Sequence, residues 1–214
     1  MADQSRRPLK SRNTALARRI ARALASTSIT PNQISAASLV FAAMAGGGFW
    51  LSANVAGPVQ ISCLVVAAIG IQLRLLCNLF DGMVAIEGGK QSPKGAFWNE
   101  APDRLADILI LVGMGFGAGS PALGWAAAAM AVLTAYVREL GTVAGQSPDF
   151  CGPMAKPHRM AAATLAALAG VVCAALDYDV NALELGLWII VLGSGVTALR
   201  RCVRLLQTLH RGSH

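Results

Sequence analysis

The chain has 214 residues, of which 55% are hydrophobic and only 14% are charged. Soluble domains carry about 25% charged residues, so this composition excludes an ordinary soluble domain and indicates an integral membrane protein. The formal net charge is +7, with basic residues concentrated near both ends of the chain. They flank apolar segments without any nucleic-acid-binding motif, so we expect them to contact membrane lipids and no nucleic acid.

The first predicted element is a basic amphipathic helix over residues 10–27. Leu16 and Ile20 can share one face of this helix, while Arg18 and Arg22 lie off it. This arrangement is typical of a helix that lies on a membrane surface.

Six transmembrane helices follow, which makes the predicted fold an all-α integral membrane bundle. Loops that contain lysine or arginine alternate with loops that contain neither. The positive-inside rule predicts this pattern if both termini are cytoplasmic. We therefore predict a multi-pass protein of the inner (cytoplasmic) membrane. The predicted spans are residues 32–52, 58–86, 95–118, 122–145, 157–176 and 182–207. The predicted segments are 1–30 (cytoplasmic, with the surface helix), 31–208 (the six-helix domain) and 209–214 (a C-terminal tail).

Small residues in these spans favour close contact between helices. They include Gly46 to Gly48 in the first span. In the third span, Gly113 with Gly117 and Gly115 with Gly119 form two G-x-x-x-G pairs.

Polar residues form a stripe along the end of the second span. Asn78, Asp81, Gly82 and Ala85 are spaced i, i+3, i+4 and i+7, which places them on one face of a helix. Gly82 and Ala85 are small, so a ligand could approach the helix backbone there.

The third span begins with a matching stripe. Gly95, Asn99, Asp103 and Asp107 follow one another at intervals of four residues. The two spans are joined by a short loop, so we predict that they are antiparallel neighbours whose stripes face each other near the cytoplasmic surface.

Several carboxylates close together in a membrane repel one another and are costly to desolvate. A divalent cation such as Mg²⁺ or Mn²⁺ resolves both problems, because it takes carboxylate and amide oxygens as ligands. The alternative is that the acids pair with Arg104, Lys90 or Lys94 for structural reasons.

These stripes resemble the signature of the CDP-alcohol phosphotransferase family, D-x2-D-G-x2-A-R-x8-G-x3-D-x3-D. All of its spacings are kept here, in the form Asn78-x2-Asp81-Gly82-x2-Ala85-Ile86-x8-Gly95-x3-Asn99-x3-Asp103. The family transfers a phosphatidyl-type group from a CDP-linked donor to an alcohol and releases CMP. Its members often form homodimers.

The resemblance implies roles for individual residues. Asp103 would be the catalytic base as well as a metal ligand. The implied ligands of Mg²⁺ or Mn²⁺ are Asn78, Asp81, Asn99 and Asp103. The residues implied to shape the donor nucleotide pocket are Gly82, Ala85 and Gly95.

Three positions depart from the signature: Asn78 and Asn99 replace aspartates, and Ile86 replaces arginine. Asparagine at both places resembles a less characterised bacterial branch of the family. Candidates for supplying the missing negative charge are Glu100 and Asp107, and candidates for the missing cation are Lys90, Lys94 and Arg74.

Lys156 and Arg159 lie three residues apart at the cytoplasmic start of the fifth span. They could bind a phosphate of the acceptor or of the lipid, or they could be ordinary membrane-surface anchors.

We therefore predict a metal-dependent CDP-alcohol phosphatidyltransferase of phospholipid biosynthesis, which uses CDP-diacylglycerol and an alcohol acceptor. The alternative is a non-catalytic lipid- or nucleotide-binding membrane protein with the same fold, since two signature aspartates are missing. A small transporter fits less well, because the polar residues lie near one membrane face. The sequence leaves the acceptor open.

Overall fold

A computed structural model describes residues 14–90 and 94–211, with the side chains of Ala96 and Asn99 left out of that description. The described part of the chain folds into helices, without a β-strand. The helices are α1 (Ala15–Ala25), α2 (Pro31–Ser52), α3 (Gly57–Glu87), α4 (Gly95–Gly117), α5 (Pro121–Val143), α6 (Lys156–Leu176) and α7 (Ala182–Arg211).

The all-helical prediction is confirmed, and each predicted span coincides with one of the helices α2 to α7. Five of these six, all except α4, are long and apolar enough to cross a membrane. The first half of α4 carries Glu100, Asp103, Arg104 and Asp107, which lowers its hydropathy. The sixth span therefore remains a prediction.

Helices α2 to α7 form a closed ring in the order α2, α3, α6, α7, α5, α4. Each helix packs against the next one in this order, and α4 returns to α2. The interior of the ring holds fully buried apolar side chains, including Phe49, Ile110, Met114, Leu187 and Ile190.

Consecutive helices α3 and α4 make few backbone contacts, because α2 packs against both of them. The two helices meet over a short length, where Asn78 of α3 donates a hydrogen bond to Asp103 of α4. The prediction that their polar stripes face each other is therefore confirmed, although α3 and α4 do not pack along most of their length.

Glycines allow α2 and α4 to approach closely. A Cβ on Gly46 would meet the backbone of Leu109, and one on Gly113 would meet the backbone of Gly46. Gly117 similarly faces the Phe49 carbonyl group. The predicted pair Gly113 and Gly117 thus lies in a helix interface.

The second predicted pair divides between an interface and a turn. A Cβ on Gly115 would meet the backbone of Gly124 on α5, so Gly115 belongs to a close helix contact. Gly119 lies beyond the end of α4 with a φ of +69°, and nothing lies close to it. Its role is to allow the turn into α5.

Helix α1 packs against the end of α3. Ala17 and Ala21 are buried beside Met83, while Arg18 and Arg22 are exposed. The described helix starts at residue 15, so the first residues of the predicted 10–27 helix lie outside the described part of the chain. Its placement on a membrane surface remains a prediction.

Local sequence fixes the start of α2. The Thr30 side chain accepts a hydrogen bond from the Gln33 backbone N–H, and the Gln33 side chain accepts one from the Thr30 N–H. Pro31 occupies the first turn, where its missing N–H costs nothing. This capping box sets the position of Ser35 on the next turn.

Candidate active site

The carboxylate of Asp81 is buried near the C-terminal end of α3. The Ser35 hydroxyl of α2 donates a hydrogen bond of 2.7 Å to its Oδ2 atom. The backbone N–H of Gly82 donates to Oδ1. These two bonds orient the carboxylate, and one of them comes from a different helix.

Asp103 lies at the meeting point of α3, α4 and α6. Its Oδ1 atom accepts a hydrogen bond from Asn78 Nδ2 and lies 3.4 Å from Arg74 Nη2. Its Oδ2 atom accepts a hydrogen bond from the ammonium of Lys156. Two cations and one amide therefore converge on a carboxylate that is 8% exposed.

Asp107 lies one turn further along α4 and is completely buried. Its Oδ1 atom is 2.9 Å from Arg74 Nη2, and its Oδ2 atom is 2.6 Å from Arg159 Nη2. Both arginines are buried as well. Asp107 is therefore the counter-ion that allows two guanidinium groups to lie inside the bundle.

A loop ahead of α6 places Lys156 and Arg159. The backbone N–H of Met154 donates to Thr197 Oγ1 at 2.9 Å, which ties the loop to α7. Gly152 has a φ of +126° and faces Thr197, where a Cβ would clash. A glycine is required there for the loop to pack this closely.

The structure thus brings Asn78, Asp81, Asp103, Lys156 and Arg159 to the same end of the bundle. The predicted nucleotide-pocket residues Gly82, Ala85 and Gly95 lie on the same parts of α3 and α4, and each is partly exposed. The backbone of Asn99 lies in α4, but its side chain is outside the described part of the structure.

The three candidate replacements for the missing signature arginine differ in position. Ile86 itself is 54% exposed. Lys90 donates to the carbonyl groups of Thr27 at 2.6 Å and Ile29 at 3.2 Å, so it closes the turn before α2. Lys94 is exposed just before α4. Of the three candidates, Arg74 alone contacts a signature residue among the described contacts.

Glu100 pairs with arginines on two helices. Its Oε2 atom forms ion pairs with Arg104 on α4 and with Arg138 on α5. Arg138 also pairs with Glu139 and lies 5.5 Å from the ring centre of Phe150. These contacts give Glu100 a role in joining α4 to α5, and its part in supplying the missing negative charge stays a prediction.

The oxygen donors at Asp81 and Asp103 suit a hard divalent cation. The described residues contain no cluster of three or more His, Cys, Asp or Glu side chains that could hold a metal ion. The predicted set includes only two carboxylates and relies on asparagine oxygens for the rest, so it is not a cluster of that kind. Asp81 and Asp103 contribute carboxylate oxygens at the same end of the bundle, and Asn78 adds an amide oxygen beside Asp103. The residues present therefore fit Mg²⁺ or Mn²⁺.

A basic cavity of about 490 Å³ lies between α5, α7 and the loop before α6. Arg138, Arg201 and Arg204 line it. The Arg201 side chain donates to the carbonyl groups of Thr134 at 2.6 Å and Cys151 at 2.9 Å. Thr134 Oγ1 also lies 3.5 Å from Arg159 Nη1, so the cavity adjoins the buried ion-pair network.

Sequence reasoning missed the roles of Ser35 and Arg201. Ser35 lies one turn after the start of α2, and Arg201 had been read only as one of the basic residues near the C-terminus. The helix start at Thr30 and Pro31 places Ser35 on α2, but nothing local indicates its partner Asp81, which lies on α3. Nothing local marks Arg201, because its partners lie on α5 and in the loop before α6.

The chain is similar to two proteins whose names describe enzymes of lipid synthesis. It is 34% identical over 159 residues to the bifunctional IPC transferase and DIPP synthase of Rubrobacter xylanophilus, covering 72% of this chain and 34% of that protein. It is 26% identical over 198 residues to the archaetidylinositol phosphate synthase of Pyrococcus horikoshii, covering 91% and 93%. The chain therefore spans about a third of the first relative and nearly all of the second. No family model matches the sequence.

Solved structures share the fold. The phosphatidylinositol phosphate synthase of Mycobacterium tuberculosis with CDP-DAG bound has a TM-score of 0.71 at 18% identity, covering 90% of this chain and 94% of that one. The same enzyme in complex with manganese and citrate has a TM-score of 0.70 at 18% identity, covering 88% of each.

Proposed function

We propose that this chain is a CDP-alcohol phosphatidyltransferase, the family that its relatives and its fold together indicate. It transfers a phosphatidyl-type group from CDP-diacylglycerol to an alcohol and releases CMP, as a step of phospholipid synthesis. The observation that carries the proposal is the position of Asp103. This signature carboxylate lies where α3, α4 and α6 meet, within reach of Asn78, Arg74 and Lys156.

Asn78, Asp81, Asn99 and Asp103 would hold Mg²⁺ or Mn²⁺. The bound cation would neutralise the donor phosphates and make CMP a better leaving group. Ser35 keeps the Asp81 carboxylate oriented for this task through its hydrogen bond.

Asp103 acts as the general base. Its carboxylate takes the proton from the acceptor hydroxyl while that oxygen bonds to the phosphorus bearing the lipid, and the bond from this phosphorus to the CMP oxygen breaks. In this structure Lys156 pairs with the same carboxylate. The Lys156 side chain is 25% exposed, so its ammonium can turn to a donor phosphate and free Asp103 to accept the proton.

The acceptor carries a phosphate group. The basic cavity next to the ion-pair network has three arginines along its wall, and one of them, Arg201, shares its partner Thr134 with Arg159. Guanidinium groups bind phosphates through paired hydrogen bonds. Two similar proteins are named archaetidylinositol phosphate synthase and phosphatidylinositol phosphate synthase, which accords with a phosphorylated polyol as acceptor.

The protein acts in the inner membrane, with its site and both termini on the cytoplasmic side, where nucleotide and acceptor are soluble. The six-span topology, the surface position of α1 and the division into 1–30, 31–208 and 209–214 belong to this proposal. A homodimer remains a prediction from the family resemblance.

The test is CMP release by the purified protein in vesicles that contain CDP-diacylglycerol. Reactions with Mg²⁺, Mn²⁺ or a chelator are run against separate phosphorylated and unphosphorylated polyols. We expect metal-dependent CMP release with a phosphorylated acceptor. Asp103→Asn should lower the rate by about 10²–10⁴-fold, which is the usual contribution of a general base.

The matched control is Asp179→Asn, which changes an exposed carboxylate in the loop between α6 and α7. It should leave the rate unchanged. If folded wild-type protein releases no CMP with any acceptor, the proposal is wrong, and a lipid- or nucleotide-binding protein with this fold becomes the better account.

A further inference from the structure

Arg74 is a completely buried arginine on the polar face of α3, one turn before Asn78. The signature gives this position no role. Its Nη2 atom is 2.9 Å from Asp107 Oδ1, 3.4 Å from Asp103 Oδ1 and 3.3 Å from the Asp103 carbonyl oxygen. A guanidinium group therefore lies against the carboxylate proposed as metal ligand and base.

Arg74 differs from the other cation on Asp103. Lys156 has a flexible side chain that is 25% exposed, so its ammonium can move away to another anion. The Arg74 side chain is 0% exposed, and its Nη2 atom contacts both Asp103 and Asp107. Its charge is therefore buried within the site.

The charges of the site balance without any metal ion. Three carboxylates and three cations lie at this end of the bundle, and these six groups are Asp81, Asp103, Asp107, Arg74, Lys156 and Arg159. Asp103 and Asp107 pair with the three cations, whereas Asp81 is hydrogen-bonded to Ser35 and Gly82. One divalent cation adds two positive charges, which the two negative charges of a pyrophosphate donor match. A second divalent cation would leave two excess positive charges in poorly solvated surroundings, where unpaired charge is costly.

The ligands of the site also favour a single divalent cation. Asn78 is a neutral residue, and its amide nitrogen donates a hydrogen bond to Asp103. An aspartate at position 78 would supply a negative charge that two cations could share, whereas Asn78 supplies none. The loss of that acid and the presence of a buried guanidinium one turn away both make the site more positive, which disfavours a second divalent cation.

We infer that Arg74 takes the place of a second metal ion, and that the site binds one divalent cation per chain. The inference rests on the proposed function, because the donor pyrophosphate supplies the matching negative charge. Arg74 is a positioning residue in this account, since it acts on Asp103 and does not itself reach the substrate.

The test counts bound Mn²⁺ by electron paramagnetic resonance. Purified full-length protein in lipid nanodiscs is titrated with Mn²⁺ at saturating CDP-diacylglycerol and without acceptor, so that no turnover occurs. We expect one tightly bound Mn²⁺ per chain. Arg74→Gln combined with Asn78→Asp removes the buried cation and restores the acid, and should bind two.

Two control variants test whether the charge of Arg74 decides the number of bound Mn²⁺ ions, and not its size or the loss of any arginine. Arg74→Lys combined with Asn78→Asp keeps the cation and should still bind one Mn²⁺. Arg104→Gln removes a neighbouring arginine of α4 that pairs with Glu100, and it should also bind one. Monodisperse elution from a sizing column shows that each variant is folded.

Two tightly bound Mn²⁺ ions in the wild-type protein, or none, would overturn the inference. So would a single ion in the folded Arg74→Gln, Asn78→Asp variant. If that variant does not fold, the number of Mn²⁺ ions bound per wild-type chain still tests the inference. CMP release from the same preparations separates the two proposals: active protein with two Mn²⁺ ions contradicts the single-cation site alone, whereas inactive protein with one ion contradicts the transferase alone.

Discussion

Asp107 provides the sharpest test of the buried ion-pair network. Each of its carboxylate oxygens pairs with an arginine: Oδ1 is 2.9 Å from Arg74 Nη2, and Oδ2 is 2.6 Å from Arg159 Nη2. All three side chains are at most 1% exposed. Removing one partner of a buried ion pair costs about 3–5 kcal/mol, because the remaining charge is left uncompensated. Asp107→Asn keeps the volume and one acceptor oxygen, so we expect a loss of about 3 kcal/mol.

The assay is reversible unfolding by sodium dodecyl sulfate in mixed micelles, followed by circular dichroism. Glu100→Gln is the matched control, because Glu100 also pairs with two arginines but its side chain is 34% exposed. Exposed pairs contribute about 0–1 kcal/mol. Asp107→Asn combined with Arg159→Met removes one orphaned charge and should recover part of the loss. Equal losses in Asp107→Asn and Glu100→Gln would refute the reasoning.

Two further predictions concern helix packing and the orientation of Asp81. Gly113→Ala places a methyl group against the α2 backbone and should cost about 1–3 kcal/mol in the same unfolding assay, whereas Gly47→Ala faces open space and should be nearly neutral. Ser35→Ala removes the hydrogen bond to Asp81 and should weaken Mn²⁺ binding by about 10-fold or more. Ser62→Ala, which removes an exposed hydroxyl bonded to its own helix, should leave Mn²⁺ affinity unchanged. A Ser35→Ala protein with wild-type Mn²⁺ affinity, or a Gly113→Ala protein as stable as Gly47→Ala, would contradict these assignments.

Patterns of local spacing predicted most of the fold. The six apolar segments became α2 to α7 because helix formation depends on the residues within a segment. The boundaries were also local, as the Thr30 and Gln33 capping box and Pro31 show for α2. Helix α4 could be placed despite its charges, because Asn99 and Asp103 follow the helical period.

Local spacing in the sequence could not predict which side chains pair with one another in the site. Glu100 was a candidate for supplying missing charge, but Arg138 on α5 pairs with it. That partner is 38 residues away in the sequence, and no periodic pattern relates the two. Ser35 and Asp81 are 46 residues apart, so local spacing could not predict their hydrogen bond either.

The sequence by itself determined the membrane class, the helices and the two stripes of signature residues, because composition and helical period act over one segment at a time. The tertiary structure decided the closed ring in which α2 separates α3 from most of α4. It also decided that Arg74 and Lys156 face Asp103, and that Asp107 holds Arg74 and Arg159 inside the bundle. Such pairings follow from how helices pack, since buried charges must find opposite charges wherever the ring brings them together.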